Sequence, residues 1–578
     1  MAKKTVKDLF SSRSSLTAAF LLLVLAIIVA RLFLLQIIGG KTAREEAQNQ
    51  HSIYQKLLPS RGEIKIVDKA NQETFVVATN IKKYLVYAVP GEIQNSKIAA
   101  DNLSAALGLD SKEVLEKISN QSRKYVPLKK QLSEEEQEKI KDLKLPGIYF
   151  DAEEARFYPQ KNSLSQTLGF VGFKGDKKEG LYGLEKIFEK ELAGTPGELR
   201  QEKDTSGAWI FGSQKNLTPA EDGVNLILTI DKTIQFKAEN VIKEAVEKHG
   251  ADSATAIVID PKTGRLLALA GYPDFDPNEY NKQENPGIYL NKAVTGNYEP
   301  GSVFKPLTMA AAINENKITA DTVFVDTGKV VEADGSIIKN SEGKVYGEQN
   351  MTQVLEKSIN TGAIFAKEQI GNKVFLDYLK RFGFGKATGL ELPESRGNLD
   401  SLKGNVQMNF DSASFGQSIS VTPIQLVQAF TAIANGGKMM KPYLVQSKIF
   451  SDGKTVNIEP KIVSEALSAK TANTVAAMMV NVVENGHGKQ AGVSGYFIAG
   501  KTGTAQVPRD DGKGYETDNN IGSFIGFGPV ENPKFLMLIR VDHPRSVKYA
   551  ESTAAPAFGQ LAQFILNYYQ IPPTREIK

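Results

Sequence analysis

An uninterrupted apolar segment near the N-terminus is the strongest hydrophobic pattern in the chain. Residues 16–30 carry no charge, and the apolar character continues to Ile38 across Arg31 and Gln36. This stretch of 23 residues is long enough to cross a bilayer, and Arg31 can extend its side chain to the headgroups. The pattern predicts a single transmembrane helix over residues 16–38.

Basic residues in front of this helix indicate its orientation. Lys3, Lys4, Lys7 and Arg13 precede it, so the positive-inside rule predicts a cytoplasmic tail of residues 1–15 and an extracytoplasmic location for the bulk of the chain. A cleaved signal peptide is the alternative, but no clear Ala-x-Ala site follows the apolar stretch. We therefore expect an uncleaved, single-pass anchor in the plasma (inner) membrane.

Residues 39–220 are polar, rich in lysine and irregular in pattern. Helical periodicity over Leu103–Ile118 and Ser133–Leu143 alternates with short runs typical of strands, such as Tyr84–Val89. No constellation of catalytic residue types occurs here. We interpret the region as an elongated, mixed pedestal domain that serves as a spacer or interaction module, although a lysine-rich surface without any partner has the same pattern.

Residues 221–578 show the pattern of a separate domain whose two ends share one sheet. Leu226–Ile230 predicts a strand, and Asp231 caps a helix that runs to about Lys248. Strands at both ends with helices between them favour an α+β domain built on an antiparallel sheet. The other predicted elements are the hairpin Ala254–Ile259 with Arg265–Ala270, the strands Ser523–Phe527 and Phe535–Val541, and the closing helix Thr553–Tyr569.

Composition narrows the possible chemistry. The chain has 578 residues, no cysteine, and a net charge of +4 from 70 basic and 66 acidic residues. This balance does not favour nucleic-acid binding, and the absence of cysteine excludes disulfides, a thiolate nucleophile and cysteine metal sites. His51, His249, His487 and His543 show no ligand spacing, so we predict no metal site.

A serine and a lysine at helical spacing are the first candidates for catalysis. Pro300-Gly301 breaks the chain, and the Leu/Met/Ala-rich stretch behind it favours a helix with Ser302 at its N-terminus and Lys305 one turn on. An amine beside a hydroxyl at the positive end of a helix gives an activated nucleophile. The same Ser-x-x-Lys pattern also begins at Ser336, Ser341 and Ser451, where it is typical of turns or of a strand.

Two further polar motifs follow along the chain. Ser358 and Asn360 offer a hydroxyl and an amide where a helix predicted over Thr352–Lys357 ends. Lys501-Thr502-Gly503-Thr504 follows the β-type run Tyr496–Ala499 and is expected on or just past a strand. A second Lys-Thr-Gly, at Lys262, belongs to the predicted hairpin turn.

The Lys501 segment also matches the P-loop pattern, since Gly495 and four further residues precede Gly500-Lys501-Thr502. A P-loop needs a glycine-rich loop that cradles phosphates and a helix that begins at the Lys-Thr pair. Here the four residues between the glycines are bulky and strand-forming, and the residues after Thr502 do not begin a helix. We therefore interpret the match as coincidental.

Ser-x-x-Lys, Ser-x-Asn and Lys-Thr-Gly in this order resemble the signature of the penicillin-recognising serine acyltransferases. The resemblance covers nearly the whole chain and is closest to class B penicillin-binding proteins of the division type, which are monofunctional peptidoglycan D,D-transpeptidases. It implies a transpeptidase domain with an antiparallel five-stranded sheet flanked by helices, behind the anchor and pedestal. Further similar segments are Arg31–Ile37, Ser60–Ile64, Arg156–Pro159, Gly180–Glu185, Phe415–Gln417 and Val421–Pro423.

The resemblance implies a catalytic role for three residues. Ser302 would attack the carbonyl between the last two D-alanines of a donor stem peptide. Lys305 would accept its proton, which requires a lowered pKa; burial and the nearby Lys501 would both lower it. Ser358 would relay a proton to the leaving D-alanine. No metal or cofactor is implied, and β-lactams would acylate Ser302.

The remaining motif residues would bind substrate. Asn360 would hydrogen-bond the donor amide, and the backbone N–H groups of Ser302 and Thr504 would hold the oxyanion. The terminal carboxylate of the donor would lie against the strand motif, that is Lys501, Thr502, Gly503 and Thr504.

Other functions remain open at this point. A D,D-carboxypeptidase or β-lactamase would need a base that activates water; Glu391 and Glu394 lie between the second and third motifs, although Leu390–Glu394 has the pattern of a structural loop. A β-lactam receptor that signals inward would need a cytoplasmic domain, and only about fifteen residues precede the apolar span, whereas a division scaffold without activity has no need of all three motifs. A bifunctional class A enzyme would need acidic glycosyltransferase motifs, which residues 39–220 do not show.

Family analogy also suggests partners and a cellular role. The partners would be peptidoglycan stem peptides, β-lactams, a membrane glycosyltransferase and division proteins, and septation is favoured over elongation. The chain departs from the family pattern at Asp68–Asn71 and at Ser418, which concerns local loop geometry. The polar segment Pro508–Asn520 is predicted to be a mobile loop on the acceptor side.

Overall fold

The computed structural model describes residues 13–38, 52–69, 72–175, 177–202, 216–509, 514–547 and 549–576. The chain divides into two compact units, Met1–Pro59 with Gly194–Asp222, and Ser60–Ala193 with Gly223–Lys578. The strands are β1 Ser52–Leu57, β2 Ile64–Val67, β3 Thr74–Ala88, β4 Val126–Leu132, β5 Ile148–Phe157, β6 Val171–Lys174, β7 Lys177–Gly180, β8 Gly197–Glu202, β9 Asn216–Thr218, β10 Asn225–Asp231, β11 Ser253–Ile259, β12 Leu266–Tyr272, β13 Val323–Asp326, β14 Lys329–Val331, β15 Ile337–Lys339, β16 Gly347–Asn350, β17 Lys438–Met440, β18 Val445–Ile449, β19 Thr455–Asn457, β20 Ile462–Glu465, β21 Ala499–Pro508, β22 Tyr515–Gly528 and β23 Phe535–Asp542. The α-helices are α1 Arg13–Phe33, α2 Ser96–Leu107, α3 Ser111–Ser119, α4 Glu134–Asp142, α5 Ser165–Leu168, α6 Gly183–Ile187, α7 Glu189–Leu192, α8 Lys232–His249, α9 Lys292–Thr295, α10 Lys305–Asn314, α11 Met351–Glu356, α12 Asn360–Glu368, α13 Gly371–Arg381, α14 Gln407–Ala413, α15 Pro423–Ala434, α16 Ala469–Glu484 and α17 Ala554–Tyr568.

The first unit contains the apolar helix α1 and a small sheet. α1 continues into a π-helical turn, Leu34–Ile38, and Leu16–Ile37 is apolar and exposed along its length. Among the described residues it is the one helix long and apolar enough to cross a membrane, as the pattern over residues 16–38 predicts. Most of the predicted cytoplasmic tail lies outside the described residues. β1, β8 and β9 form a three-stranded antiparallel sheet.

In the second unit a seven-stranded sheet joins pedestal strands to strands of the C-terminal region. Its order is β19-β18-β10-β2-β3-β4, with β5 paired to β3. β10 runs parallel to β2, with Leu226 opposite Ile64, and antiparallel to β18. The Asp231 carboxylate accepts hydrogen bonds from the N–H groups of Thr233 and Ile234, so it caps α8 as predicted. The sheet therefore runs across the predicted pedestal boundary near residue 220.

Three pedestal segments that carry the family resemblance meet at Glu185. Its fully buried carboxylate lies 2.6 Å from Arg61 Nη2 and 2.6 Å from Arg156 Nε, and it accepts a 3.3 Å hydrogen bond from Tyr158 OH. Burial alone would raise the pKa of Glu185, but the guanidinium groups of Arg156 and Arg61 outweigh burial and lower the pKa. The segments around residues 60, 156 and 185 are thus joined by one buried ion cluster.

One predicted pedestal helix is two helices in the structure. The periodicity over Leu103–Ile118 predicts a continuous helix, but α2 ends at Leu107 because Gly108 takes the left-handed conformation, with φ 65°. Asp110 then begins α3 by accepting hydrogen bonds from the N–H groups of Lys112 and Glu113. The helix over Ser133–Leu143 is confirmed as α4, which a capping box at Ser133 begins.

The C-terminal domain is built on a five-stranded antiparallel sheet of order β12-β11-β23-β22-β21, which confirms the predicted fold. Every residue of β11 and β23 is buried, because helices cover both faces. Alternate residues of β11 serve the two faces: Val258 packs with α8 and α17, whereas Ile257 belongs to the cluster that includes α10 and α15. The two ends of the domain therefore share one sheet.

The predicted mobile loop Pro508–Asn520 is mostly strand in the structure. β21 extends to Pro508 and β22 begins at Tyr515, with these two residues opposite each other and Gln506 opposite Asn520. The polar sequence does not predict this strand, because pairing with β21 across the hairpin stabilises it rather than a buried apolar face. Residues 510–513 of the predicted loop lie outside the described residues.

Candidate active site

The Ser302 motif begins the central helix of the domain. A single 3₁₀ turn, Gly301–Phe304, carries Ser302, and α10 begins at Lys305 with Pro306 behind it, where proline suits a helix start. The sequence predicts that the helix begins at Ser302, but the α-helix begins three residues later, at Lys305. Gly301 has φ +61°, and its N–H donates to the carbonyl of Gly416 at 3.0 Å, so the turn is held from the neighbouring loop.

The hydroxyl of Ser358 lies between two buried amines. Lys305 Nζ is 3.2 Å from Ser358 Oγ and also donates to the Ser358 carbonyl. Lys501 Nζ donates to Ser358 Oγ at 3.0 Å and to the Thr502 carbonyl at 3.0 Å. Both lysines are fully buried. The structure thus brings the lysine of the first motif, the serine of the second and the lysine of the third together around one oxygen.

The two amines have lowered affinities for protons. Burial lowers the pKa of Lys305 well below its ordinary value, and the nearby Lys501 lowers it further. Burial lowers the pKa of Lys501 to about 7, against a smaller opposing effect of Glu551. In the described part of the chain, neither amine forms an ion pair with a carboxylate. The site can therefore hold a neutral amine near neutral pH, as a proton acceptor requires.

The Lys501 motif lies inside β21, at the edge of the five-stranded sheet. The β-type run Tyr496–Ala499 is wrong as a strand except for its last residue. Gly495 has φ +86°, and the hydroxyl of Tyr496 donates to the carbonyl of Ile571 at 2.6 Å, so this segment turns before the strand begins. Because a strand, not a helix, continues from Lys501, the P-loop interpretation is excluded.

β21 packs directly against the Ser302 turn. A methyl group built on Gly503 would lie 2.8 Å from Val303 Cγ1 and 3.0 Å from the Val303 nitrogen, so only glycine fits there without movement. The next residue, Thr504, accepts a hydrogen bond from the Ala550 N–H at 3.2 Å through its hydroxyl. The third motif is therefore held beside the first, and its Lys501 also donates to Ser358 of the second.

Asn360 begins α12, and a residue outside the motif caps this helix. The N–H groups of Asn360 and Thr361 donate to Asn340 Oδ1 at 3.0 and 3.1 Å, because the preceding residue, Ile359, has no acceptor in its side chain. Asp326 in turn accepts from Asn340 Nδ2 at 2.9 Å and from Thr361 Oγ1 at 2.6 Å. No pattern in the sequence reveals this cap, since Asn340 lies after a different hairpin.

The two glutamates considered for hydrolysis have structural partners. Glu391 accepts from the N–H of Leu444 at 2.8 Å, and Glu394 accepts from the N–H groups of Thr388 and Gly389 at 2.9 and 2.8 Å. The segment is therefore a structural loop, as its sequence indicates. Within the described ranges no group of three or more His, Asp or Glu side chains is placed to hold a metal ion, and His51 lies outside those ranges.

Fold and site together define a serine acyltransferase of the penicillin-recognising class, because the three motifs meet beside an edge strand of an antiparallel sheet. Comparison with known families supports this class. The model of the penicillin-binding protein transpeptidase domain matches residues 254–563, and that of the penicillin-binding protein dimerisation domain matches residues 56–228.

Individual relatives match nearly the whole chain. Stage V sporulation protein D of Bacillus subtilis is 33% identical over 96% of this chain and 85% of its own length. Peptidoglycan D,D-transpeptidase FtsI of Escherichia coli is 28% identical over 98% of this chain and 93% of its own. The crystal structure of penicillin-binding protein 2X from Streptococcus thermophilus has a TM-score of 0.75 at 25% identity and covers 89% of this chain and 80% of that chain.

The chain therefore belongs to the class B penicillin-binding proteins, and it is a serine-type D,D-transpeptidase. This confirms the resemblance that the motifs indicate. Membership of this family supports binding of peptidoglycan and of β-lactams, together with a membrane anchor formed by the apolar N-terminal helix.

Proposed function

We propose that this transpeptidase cross-links peptidoglycan stem peptides through an acyl-enzyme on Ser302. The observation that carries the assignment is the pair of buried amines, Lys305 and Lys501, that share the Ser358 hydroxyl at 3.2 and 3.0 Å. One amine can take a proton and the other can stay charged, so the pair serves both proton transfer and anion binding.

In the first step Ser302 Oγ attacks the carbonyl between the last two D-alanines of the donor. The O–C bond forms, the C–N bond to the terminal D-alanine breaks, and the Ser302 proton passes to the neutral Lys305. Ser358 lies within hydrogen-bond distance of both amines and relays a proton to the nitrogen of the leaving D-alanine. In the second step the amine of another stem peptide attacks the ester and completes the cross-link.

The edge strand supplies the binding surface for the donor. Among the described strands, β22 is the one partner of β21, so the other edge of β21 can add the extended donor peptide as a further strand. Lys501, Thr502, Gly503 and Thr504 would receive the terminal carboxylate, and Asn360 the donor amide. The N–H groups of Ser302 and Thr504 would hold the oxyanion, where one such donor contributes about 3 kcal/mol to acyl transfer.

The cellular setting follows from the anchor and the relatives. We assign the N-terminus to the cytoplasm because four basic residues precede the apolar helix. Septal wall synthesis beside a membrane glycosyltransferase and division proteins is the role we favour, supported by the FtsI relative. Wall synthesis during sporulation is the second candidate, supported by the Bacillus subtilis relative. Depletion during vegetative growth separates them: filaments without septa support the first, and normal division with defective spores the second.

Penicillin labelling of the full chain in detergent tests the catalytic assignment. We expect a fluorescent penicillin to form a covalent adduct that mass spectrometry locates on Ser302 and that persists for minutes to hours. Ser302→Ala is expected to abolish the adduct, whereas Ser336→Ala, the serine of another Ser-x-x-Lys copy, is the matched control and retains it. Labelling that persists in Ser302→Ala, or an adduct that is released within a second, would contradict the assignment.

A further inference from the structure

Glu299, three residues before Ser302, connects the Ser302 turn to two other elements. Its Oε2 accepts a hydrogen bond from the hydroxyl of Tyr515 at 2.9 Å, and its Oε1 accepts one from the N–H of Ser418 at 2.9 Å. Tyr515 is the first residue of β22, and Ser418 belongs to the loop between α14 and α15. One partly buried carboxylate thus holds together three segments that are far apart in the sequence.

These contacts restrain the outer half of the β21–β22 hairpin, which is the part beyond Thr504. Tyr515 lies opposite Pro508, so a bond that fixes Tyr515 also fixes the end of β21 beyond Thr504. Ser418 has φ +60°, a conformation that a residue other than glycine keeps only when its surroundings hold it. The Glu299–Ser418 hydrogen bond is one of those restraints, and the loop carbonyl of Gly416 accepts from Gly301.

We propose that Glu299 and Tyr515 are positioning residues that decide whether the acyl-enzyme reacts with an amine or with water. The inference rests on the proposed function, because it needs an acyl-enzyme on Ser302. The proposed function puts the donor peptide along the free edge of β21 at Lys501, and we expect the acceptor to approach the ester from the outer end of the hairpin. A hairpin held against the Ser302 turn offers the amine one fixed approach and limits the entry of water.

The two outcomes differ only in the nucleophile. In both, the bond between the acyl carbon and Ser302 Oγ breaks and Ser302 recovers a proton. An amine forms a new C–N bond and gives up one proton, which yields the cross-link. Water forms a C–O bond instead and yields a carboxylate. Positioning raises the first rate because the amine needs a fixed direction of attack, whereas water is small and reaches the ester from many directions.

The experiment measures this partition on the full chain in detergent. The donor is a thioester analogue of acyl-D-alanyl-D-alanine, the acceptor is D-alanine, and mass spectrometry gives the ratio of amide product to hydrolysed product. Tyr515→Phe removes the hydroxyl and keeps the ring. We expect the ratio to fall about tenfold, as the loss of a hydrogen bond to a charged group predicts, while the rate of acylation by penicillin stays within about threefold.

Two variants separate positioning from charge. Glu299→Gln can accept from Ser418 through its oxygen and donate to the Tyr515 hydroxyl through its NH₂ group, so we expect a ratio within about twofold of the parent. Glu299→Ala loses both contacts and is expected to lower the ratio at least as much as Tyr515→Phe. Tyr149→Phe is the matched control, because Tyr149 also donates to a glutamate, Glu92, but on the pedestal.

The outcomes are distinct. An unchanged ratio in Tyr515→Phe, or aminolysis and hydrolysis that fall together, overturns the inference and leaves the proposed function intact. A Glu299→Gln ratio as low as that of Glu299→Ala overturns positioning as the cause. Absence of donor acylation in the parent protein would instead refute the proposed function.

Discussion

Replacing Gly503 with alanine tests whether the contact between β21 and the Ser302 turn sets the reaction geometry. The added methyl would lie 2.8 Å from Val303 Cγ1, 3.0 Å from the Val303 nitrogen and 3.1 Å from the Pro300 carbonyl oxygen. Val303 Cγ1 can rotate away, but the other two atoms belong to the backbone. Since carbon contacts are comfortable at about 3.5–4.0 Å, the strand and the turn must separate by about 0.5 Å.

Two effects of different size follow from this separation. Overpacking of this kind costs about 1–3 kcal/mol, so we expect a lower midpoint of thermal unfolding. A displacement of 1 Å at reacting atoms can cost about a hundredfold in rate, so 0.5 Å is expected to lower the acylation rate about tenfold. The movement also shifts the Thr504 N–H, the proposed oxyanion donor, relative to Ser302.

The assay is the second-order rate constant for acylation by a fluorescent penicillin, with thermal unfolding measured in parallel. Gly404→Ala is the matched control, because a methyl there meets only Val406 Cγ2 at 3.7 Å, an ordinary contact. Gly503→Ala acylated at the parental rate would refute the reasoning, since the Ser302 turn would then tolerate a displaced strand.

Three further predictions concern charge, capping and the pedestal. Because the pKa of Lys501 is about 7, the KM of a donor with a terminal carboxylate should rise above neutral pH; Lys501→Arg stays charged and should move that rise to higher pH, and identical pH profiles of KM would contradict this. Asn340→Ala removes the cap of α12 and should cost about 1 kcal/mol of unfolding free energy and lower penicillin acylation several-fold; an unchanged thermal midpoint would oppose it. Glu185→Gln leaves the buried Arg156 guanidinium without its carboxylate, while Arg61 keeps Glu189, and should cost about 3 kcal/mol, measured as an earlier thermal transition with penicillin acylation at low temperature retained. The lowered pKa of Glu185 means that its stabilising effect is present above the ordinary glutamate pKa and is lost as the pH falls toward the lowered value, so parent and variant should converge in acid.

Local signals in the sequence locate much of the fold. Asp231 begins a helix where its side chain predicts it, the periodicity over Ser133–Leu143 predicts α4, and the turn between β11 and β12 follows Asp260 as its composition indicates. Such signals act between residues close in the chain, so they need no knowledge of tertiary structure. The same limitation explains the error over Leu103–Ile118, where apolar spacing continues across Gly108 and hides a second helix start.

Contacts between distant segments cannot be predicted in this way. The cap of α12 comes from Asn340, 20 residues before Asn360, and Tyr515 reaches Glu299 across 216 positions. In both cases the side chain by itself is an ordinary polar residue in a loop or strand. The structural role of such a side chain depends on which elements lie beside it in the fold, and these neighbours are determined only when the sheet and helices assemble.

The three motifs can be found in the sequence because each is a short run of residues close together in the chain, whereas the structure shows that each one breaks a local rule. Lysines are rarely buried without a carboxylate, yet Lys305 and Lys501 are fully buried around one hydroxyl. Ser358 has φ +58°, which costs a residue other than glycine about 1–3 kcal/mol. Ile359, which directly precedes α12, has no side-chain acceptor to cap that helix. These unfavourable features occur together where the proposed reaction needs a neutral amine, a charged amine and a fixed hydroxyl, so the remaining contacts of the fold must stabilise them.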